Sequence, residues 1–138
     1  MAYTIKLVGL DCFAAEELDG DEIYIKLNGA KVWEAHPDKM SHALAGAHQV
    51  SQYDFAQGRK HTQTGWLPLD SFRPEDFVFK NEDGTSTLQL WDADVGTRDD
   101  LLGETPIDAS QASGGNISVV FRRSGAHYRL TYKVEVAG

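Results

Sequence analysis

Along most of the chain apolar and polar side chains alternate with a period of two, the pattern of strands with one face buried. Tyr3, Ile5 and Leu7 alternate with Thr4 and Lys6, while Ile23, Ile25 and Leu27 alternate with Tyr24 and Lys26. Leu88 and Leu90 bracket Gln89, and Ile117, Val119 and Phe121 share a face. The last run is the most regular: Tyr128, Leu130, Tyr132, Val134 and Val136 point one way, and Arg129, Thr131, Lys133 and Glu135 the other. Turn formers separate these runs at Asn28-Gly29, Asp83-Gly84, Gly114-Gly115-Asn116 and Ser124-Gly125. The tetrad Arg122-Arg123-Ser124-Gly125 predicts a hairpin joining residues of about 116–123 to 126–136. Residues 36–48 are less regular and fit either one short helix or a loop, and Pro106 to Ala112 fits a further turn. No repeat, low-complexity tract or linker divides the sequence, so residues 1–138 are expected to form one domain. The pattern predicts an all-β, antiparallel sandwich of about eight strands.

Composition narrows the function classes. A chain of 138 residues with 41% hydrophobic side chains is large enough to hold an apolar core without a crosslink, and Cys12, the single cysteine, excludes an internal disulfide. Thirteen Lys and Arg against twenty-one Asp and Glu give a net charge of -8. Duplex nucleic acid, whose binding needs basic side chains to displace counterions, is therefore not an expected partner. An anionic membrane would repel the chain too, unless a cation intervenes. No run approaches the roughly 18 apolar residues of a membrane span, and the opening Met-Ala-Tyr-Thr-Ile-Lys-Leu lacks the basic-then-apolar order of a leader.

The acids are unevenly placed. Residues 16–22 hold five carboxylates and no base, and residues 92–100 hold four with one arginine, so nine of twenty-one acids lie in sixteen residues. Each run adjoins an expected strand. If both loops lie at one end of the sandwich, their carboxylates repel, and a hard divalent cation taking about six to eight oxygen ligands relieves that repulsion. Asp92 and Asp94 sit two apart, a spacing that sends both side chains the same way from extended backbone. Gly96 lies in the five-residue excursion before Asp100 and can fold it back toward them. The alternative is a solvated acidic turn that keeps a sheet edge from pairing.

The segment Leu88-Gln89-Leu90-Trp91-Asp92-Ala93-Asp94, followed by Asp100-Leu101-Leu102-Gly103, resembles the C2 domain family, an eight-stranded antiparallel β-sandwich that binds calcium in loops at one end. The family pattern is a strand ending in Asp-x-Asp, a short loop, then Asp, two apolar residues and Gly, and the spacing fits without a gap. Gly20-Asp21-Glu22-Ile23-Tyr24-Ile25-Lys26 is similar to the family's Ser-Asp-Pro-Tyr-Val-Lys, with the proline missing and one residue added. The whole layout looks more like the divergent C2-like proteins of bacteria than the eukaryotic signalling modules. The resemblance implies one or two calcium ions, with Asp92, Asp94 and Asp100 as one arm of ligands. The other arm would be Asp21 or Glu22, with Glu16 at the earlier loop position if Glu22 is the match. It further implies engagement of a phospholipid head group or a partner protein.

Equipment for membrane insertion is thin: Val95 and Arg98 in the second loop, and Cys12, Phe13 and Leu18 in the first. Arg122, Arg123, Arg129 and Lys133 form a basic cluster whose alternation fits a solvated face. The histidines, His36, His42, His48, His61 and His127, match no zinc spacing. Cys12 reads as a packing thiol, and Trp91, out of phase with Leu88 and Leu90, as cover on the opposite face. No nucleophile elbow, phosphate loop or dinucleotide fingerprint is present, so no enzyme is expected. The rival to calcium binding is a structural or assembly subunit that packs through its sandwich.

Overall fold

Alternation becomes strand wherever it is sustained. The computed structural model describes residues 1–46, 48–94 and 96–136. The strands are β1 (Tyr3–Ala14), β2 (Ile23–Leu27), β3 (Ala30–Glu34), β4 (Lys39–Met40), β5 (Gln49–Asp54), β6 (Arg59–Thr62), β7 (Gly65–Pro68), β8 (Val78–Asn81), β9 (Ser86–Asp92), β10 (Asp100–Ile107), β11 (Asn116–Arg123) and β12 (Ala126–Val136). The larger sheet runs β11-β12-β1-β5-β6-β7, with β8 also paired to β1 and β4 to β5; the smaller runs β10-β9-β2-β3. The β4–β5 pair is parallel, and the other neighbours described are antiparallel. The two-sheet antiparallel sandwich implied by the resemblance is thus the architecture observed. Among the described residues the strands number twelve rather than about eight. The surplus comes from pieces such as β4, β6, β7 and β8, which are two to four residues long. Such pieces are too short for alternation to announce.

β1 organises the larger sheet. One edge pairs with β12 along its length, while the other pairs with β8 at Tyr3 to Lys6 and with β5 at Gly9 to Asp11. A bulge against β12 between Leu7 and Gly9 shifts the phase. Tyr3, Ile5 and Leu7 before it, and Leu10 and Cys12 after it, are therefore all buried. They meet Tyr128, Leu130, Tyr132 and Val134 of β12 and, from the smaller sheet, Ile23, Ile25, Leu88 and Leu90 in one core. Each large apolar side chain buried there contributes on the order of 1.5–3 kcal/mol.

Two ambiguous stretches resolve simply. Residues 36–46 hold no helix; Lys39 and Met40 form β4, and Met40 is also bridged to Asp21 through both backbone bonds (2.8 and 2.9 Å). An apolar side chain with no helical repeat around it is buried more readily by extended backbone, and Met40 is fully buried. After β10, Ala109–Gln111 form a 3₁₀ turn capped by Asp108, whose carboxylate accepts from the Ser110 amide at 2.9 Å. The β11–β12 hairpin lies where Ser124-Gly125 put it, with both residues at positive φ.

Candidate metal centre

The acidic end is built by the inward face of β9. Ser86, Leu88, Leu90 and Asp92 alternate into the core, so the strand finishes on a carboxylate with no solvent exposure. β2 pairs with β9 in a register that sets Ile23 opposite Asp92, and this brings the 16–22 loop beside the start of the 93–100 loop. Two hydrogen bonds stitch them: the Glu22 amide donates to Asp92 Oδ1 (2.9 Å) and the Ala93 amide to the Glu22 carbonyl (2.8 Å).

Asp21 shapes the first loop from inside. Fully buried, its carboxylate accepts from the Glu16 amide (2.9 Å), the Glu17 amide (3.0 Å) and the Tyr128 hydroxyl (2.5 Å). The turn so held aims both glutamates at β9. Glu16, Asp92 and Asp100 each offer a carboxylate oxygen within 4.8 Å of the others, and Glu17, Asp21 and Asp92 do the same. Asp92 is common to both triads. Among the described residues, the buried side-chain oxygens without a hydrogen-bond partner are Glu16 Oε2 and Asp92 Oδ2, on two residues of the first triad. A buried carboxylate oxygen left unbonded is costly, and a cation relieves it.

Of the residues expected from the sequence, Glu16, Asp21, Asp92 and Asp100 fall in these triads. Asp94 adjoins them, close to both Glu17 and Asp100. Glu22 belongs to neither triad; what it gives Asp92 is its backbone amide, and its side chain lines an open cleft of roughly 330 Å³ with Glu17, Lys39, Asp94 and Thr97. Glu17 is the member that sequence reasoning missed. Its only signal was that it follows Glu16, and the turn that brings both inward depends on an acceptor four residues on, Asp21.

Crowding raises the affinity of these carboxyls for protons. Burial first, then the charge of Asp21, pushes Asp92 up to about 8, against the opposing pull of the Glu22 amide. Glu17 is pushed up to about 7 by desolvation, then by its hydrogen bond to Asp94 and the charges of Asp94 and Asp21. Glu16 is raised by desolvation and then by Asp100. Desolvation likewise raises Asp94. Asp99 behaves oppositely: the Tyr24 hydroxyl (2.5 Å) and the Asp94 amide (3.1 Å) hold it below the usual range. It faces the outer surface, where Tyr24 stacks on Trp91 at 6.2 Å. Trp91 therefore covers the opposite face, as its phase predicted.

Three of the four residues of the basic cluster are engaged by neighbours. Arg129 pairs with Asp11 (3.0 Å), Lys133 with Glu135 (3.4 Å), and Arg123 donates to the Leu101 carbonyl (2.6 Å). At the loop tips Phe13 rests against His127, with Arg129 over its ring, while Leu18 is fully exposed. Val95 lies outside the described residues. Cys12 is buried, its thiol pushed up to about 12 chiefly by that burial.

No protein-family model matches the sequence, and no curated protein matches it. The chain is similar to a solved C2 domain, with 14% identity, a TM-score of 0.47 and 99% of each chain covered. It is similar to the C2A domain of a plant extended synaptotagmin 1 at 8% identity and a TM-score of 0.45, over 99% of this chain and 95% of that one. Against human GIVD cytosolic phospholipase A2 the identity is 13% and the TM-score 0.41, covering 99% of this chain but 17% of the phospholipase. At such identities the chemistry of the acidic end rests on its own residues.

Proposed function

We propose that the acidic end is a calcium site through which a non-enzymatic module engages a phospholipid head group or a partner protein. Glu16, Asp92 and Asp100 would supply the central oxygens, with Glu17, Asp21 and Asp94 around them. The observation that carries this reading is that Glu16 and Asp92, two residues of the triad with Asp100, each bury an unpartnered carboxylate oxygen, Oε2 and Oδ2. Solvated acidic turns leave their oxygens in water; these two are removed from it. An all-oxygen, all-carboxylate donor set suits a hard cation and lacks the nitrogen and sulfur donors that favour zinc. When bound, the ion would supply positive charge that the -8 chain otherwise denies to an anionic ligand.

Calorimetric titration with calcium, paired with melting in chelator and in calcium, tests the reading. A ligand bound by the folded state alone raises the midpoint, so a rise with millimolar calcium is expected, and an unmoved midpoint with no heat overturns it. Co-sedimentation with anionic vesicles, with and without calcium, separates lipid from protein engagement.

A further inference from the structure

The first loop's acids are arranged from the far sheet. Tyr128 lies on β12, 107 residues from Asp21 in sequence, and is fully buried. Its hydroxyl donates to Asp21 Oδ2, the same oxygen that accepts the Glu16 amide; Oδ1 accepts the Glu17 amide. A buried relay thus runs from Tyr128 in the larger sheet, through Asp21, to the amides of Glu16 and Glu17. Both glutamates place an oxygen within 4.8 Å of Asp92, which stands on the smaller sheet.

Two features point to a role beyond filling space. Glu16 Oε2 is buried without a hydrogen-bond partner, whereas the Glu16 amide is bonded to Asp21. Without the Tyr128 donor, the Asp21 carboxylate would be held by the two loop amides alone, Glu16 on Oδ2 and Glu17 on Oδ1, with nothing tying it to the larger sheet. Groups that orient ligands from behind are commonly worth about 10–100-fold in metal affinity. Tyr132 supplies a contrast on the same strand: it is equally buried, but its hydroxyl bonds Gln111 Oε1 at 3.0 Å, away from the acids.

We propose that Tyr128 is a positioning residue of the acidic end, its hydroxyl fixing Asp21 and through it the turn that directs Glu16 and Glu17 at Asp92. This rests on the calcium reading for its consequence, but the geometric claim can be read without the ion. The experiment compares Tyr128→Phe, Tyr132→Phe and the unaltered chain by amide hydrogen exchange in chelator and by calcium titration. In chelator, Tyr128→Phe is expected to lose protection at the Glu16 and Glu17 amides while the β12 amides keep theirs, with neither loop amide affected by Tyr132→Phe. In the titration, Tyr128→Phe is expected to bind calcium on the order of tenfold more weakly, with Tyr132→Phe unchanged.

Unaltered loop protection in Tyr128→Phe, or equal losses in both variants, overturns the proposal. If the unaltered chain binds no calcium, the functional reading fails, and the exchange result alone decides the positioning role. If Tyr128→Phe does not fold, the tyrosine Cζ resonances of the unaltered chain serve instead. Calcium should move Tyr128 and leave Tyr132 in place, and an unmoved Tyr128 resonance in a chain that binds calcium overturns the proposal. In a chain that binds none, the Tyr128 resonance itself decides: the position of a bonded hydroxyl supports the role, and that of a free one overturns it.

Discussion

Asp92 stands two residues beyond Leu90 on the inward face of β9, so a carboxylate takes the place that the alternation gives to the next core side chain. One of its oxygens is bonded to the Glu22 amide and the other to nothing. Once pH passes about 8 the metal-free protein therefore carries a buried charge that it would be more stable without. Asp92→Asn keeps the shape and the acceptor for Glu22, and gives the second position a donor facing carboxylates. Its melting midpoint in chelator is expected to rise by roughly 5 °C at pH 8, while the midpoint shift produced by calcium disappears. Differential scanning calorimetry in chelator and in calcium checks both halves.

The crowded carboxyls fix how stability should depend on pH. Asp92 binds its proton up to about 8 in the folded chain, against an ordinary value of 3.8, and Glu17 up to about 7 against 4.5. Between those limits the folded state holds protons that the unfolded chain has released, so stability falls as pH rises. In chelator the midpoint should be higher at pH 6 than at pH 8. Calcium needs the same groups deprotonated, so its stabilising shift should be larger at pH 8 than at pH 6. Melting curves at the two pH values, with and without calcium, measure both slopes.

Glu16 and Glu22 were both candidates for the first-loop arm, and the geometry separates them. Glu16 has a carboxylate oxygen within 4.8 Å of those of Asp92 and Asp100 and buries an unbonded one, whereas Glu22 acts on Asp92 through its amide, which no side-chain substitution removes. Glu16→Gln should weaken calcium binding on the order of tenfold through the lost ligand charge. Glu22→Gln should change it less than twofold to threefold. Titration of the two variants side by side distinguishes them, and equal losses would contradict the assignment.

What the sequence disclosed depended on whether the cause was local. β12 could be read in full because its alternation is a property of eleven consecutive residues, and the hairpin before it because Ser124-Gly125 is itself the turn. Asp92, Asp94 and Asp100 stood out because their spacing is set within one strand–loop–strand unit. Asp21 gave no sign of being the acceptor that folds residues 16–20, because its third donor, Tyr128, comes from the other end of the chain. Glu17 was hidden for the same reason. Asp99 sits beside Asp100 in sequence, and the distant Tyr24 hydroxyl, with the Asp94 amide, turns it outward. β4 was unreadable because its two residues are extended only by virtue of their pairing with β5 and, for Met40, with Asp21.

Gly103 closes the motif that begins at Asp92, and its role lies in packing between the sheets. β10 bulges between Leu101 and Gly103 against β9, and the Phe121 ring of β11 lies where a side chain at 103 would be, 2.2 Å from the position of a Cβ. Ring carbons cannot come that close to a methyl, so Gly103→Ala must displace Phe121 or part β10 from β11. The expected cost is about 1–3 kcal/mol of stability, seen as a lower midpoint in chelator. Because the bulge lies past Asp100, which pairs with Asp92 at the start of β10, and Glu16, Glu17 and Asp92 stand on the first loop and β9, the calcium-induced shift should survive in size. Phe121→Leu in the same chain should recover part of the loss by clearing the ring. Denaturant titration of the single and double variants reads this coupling, and a double variant no more stable than Gly103→Ala alone would place the cost elsewhere.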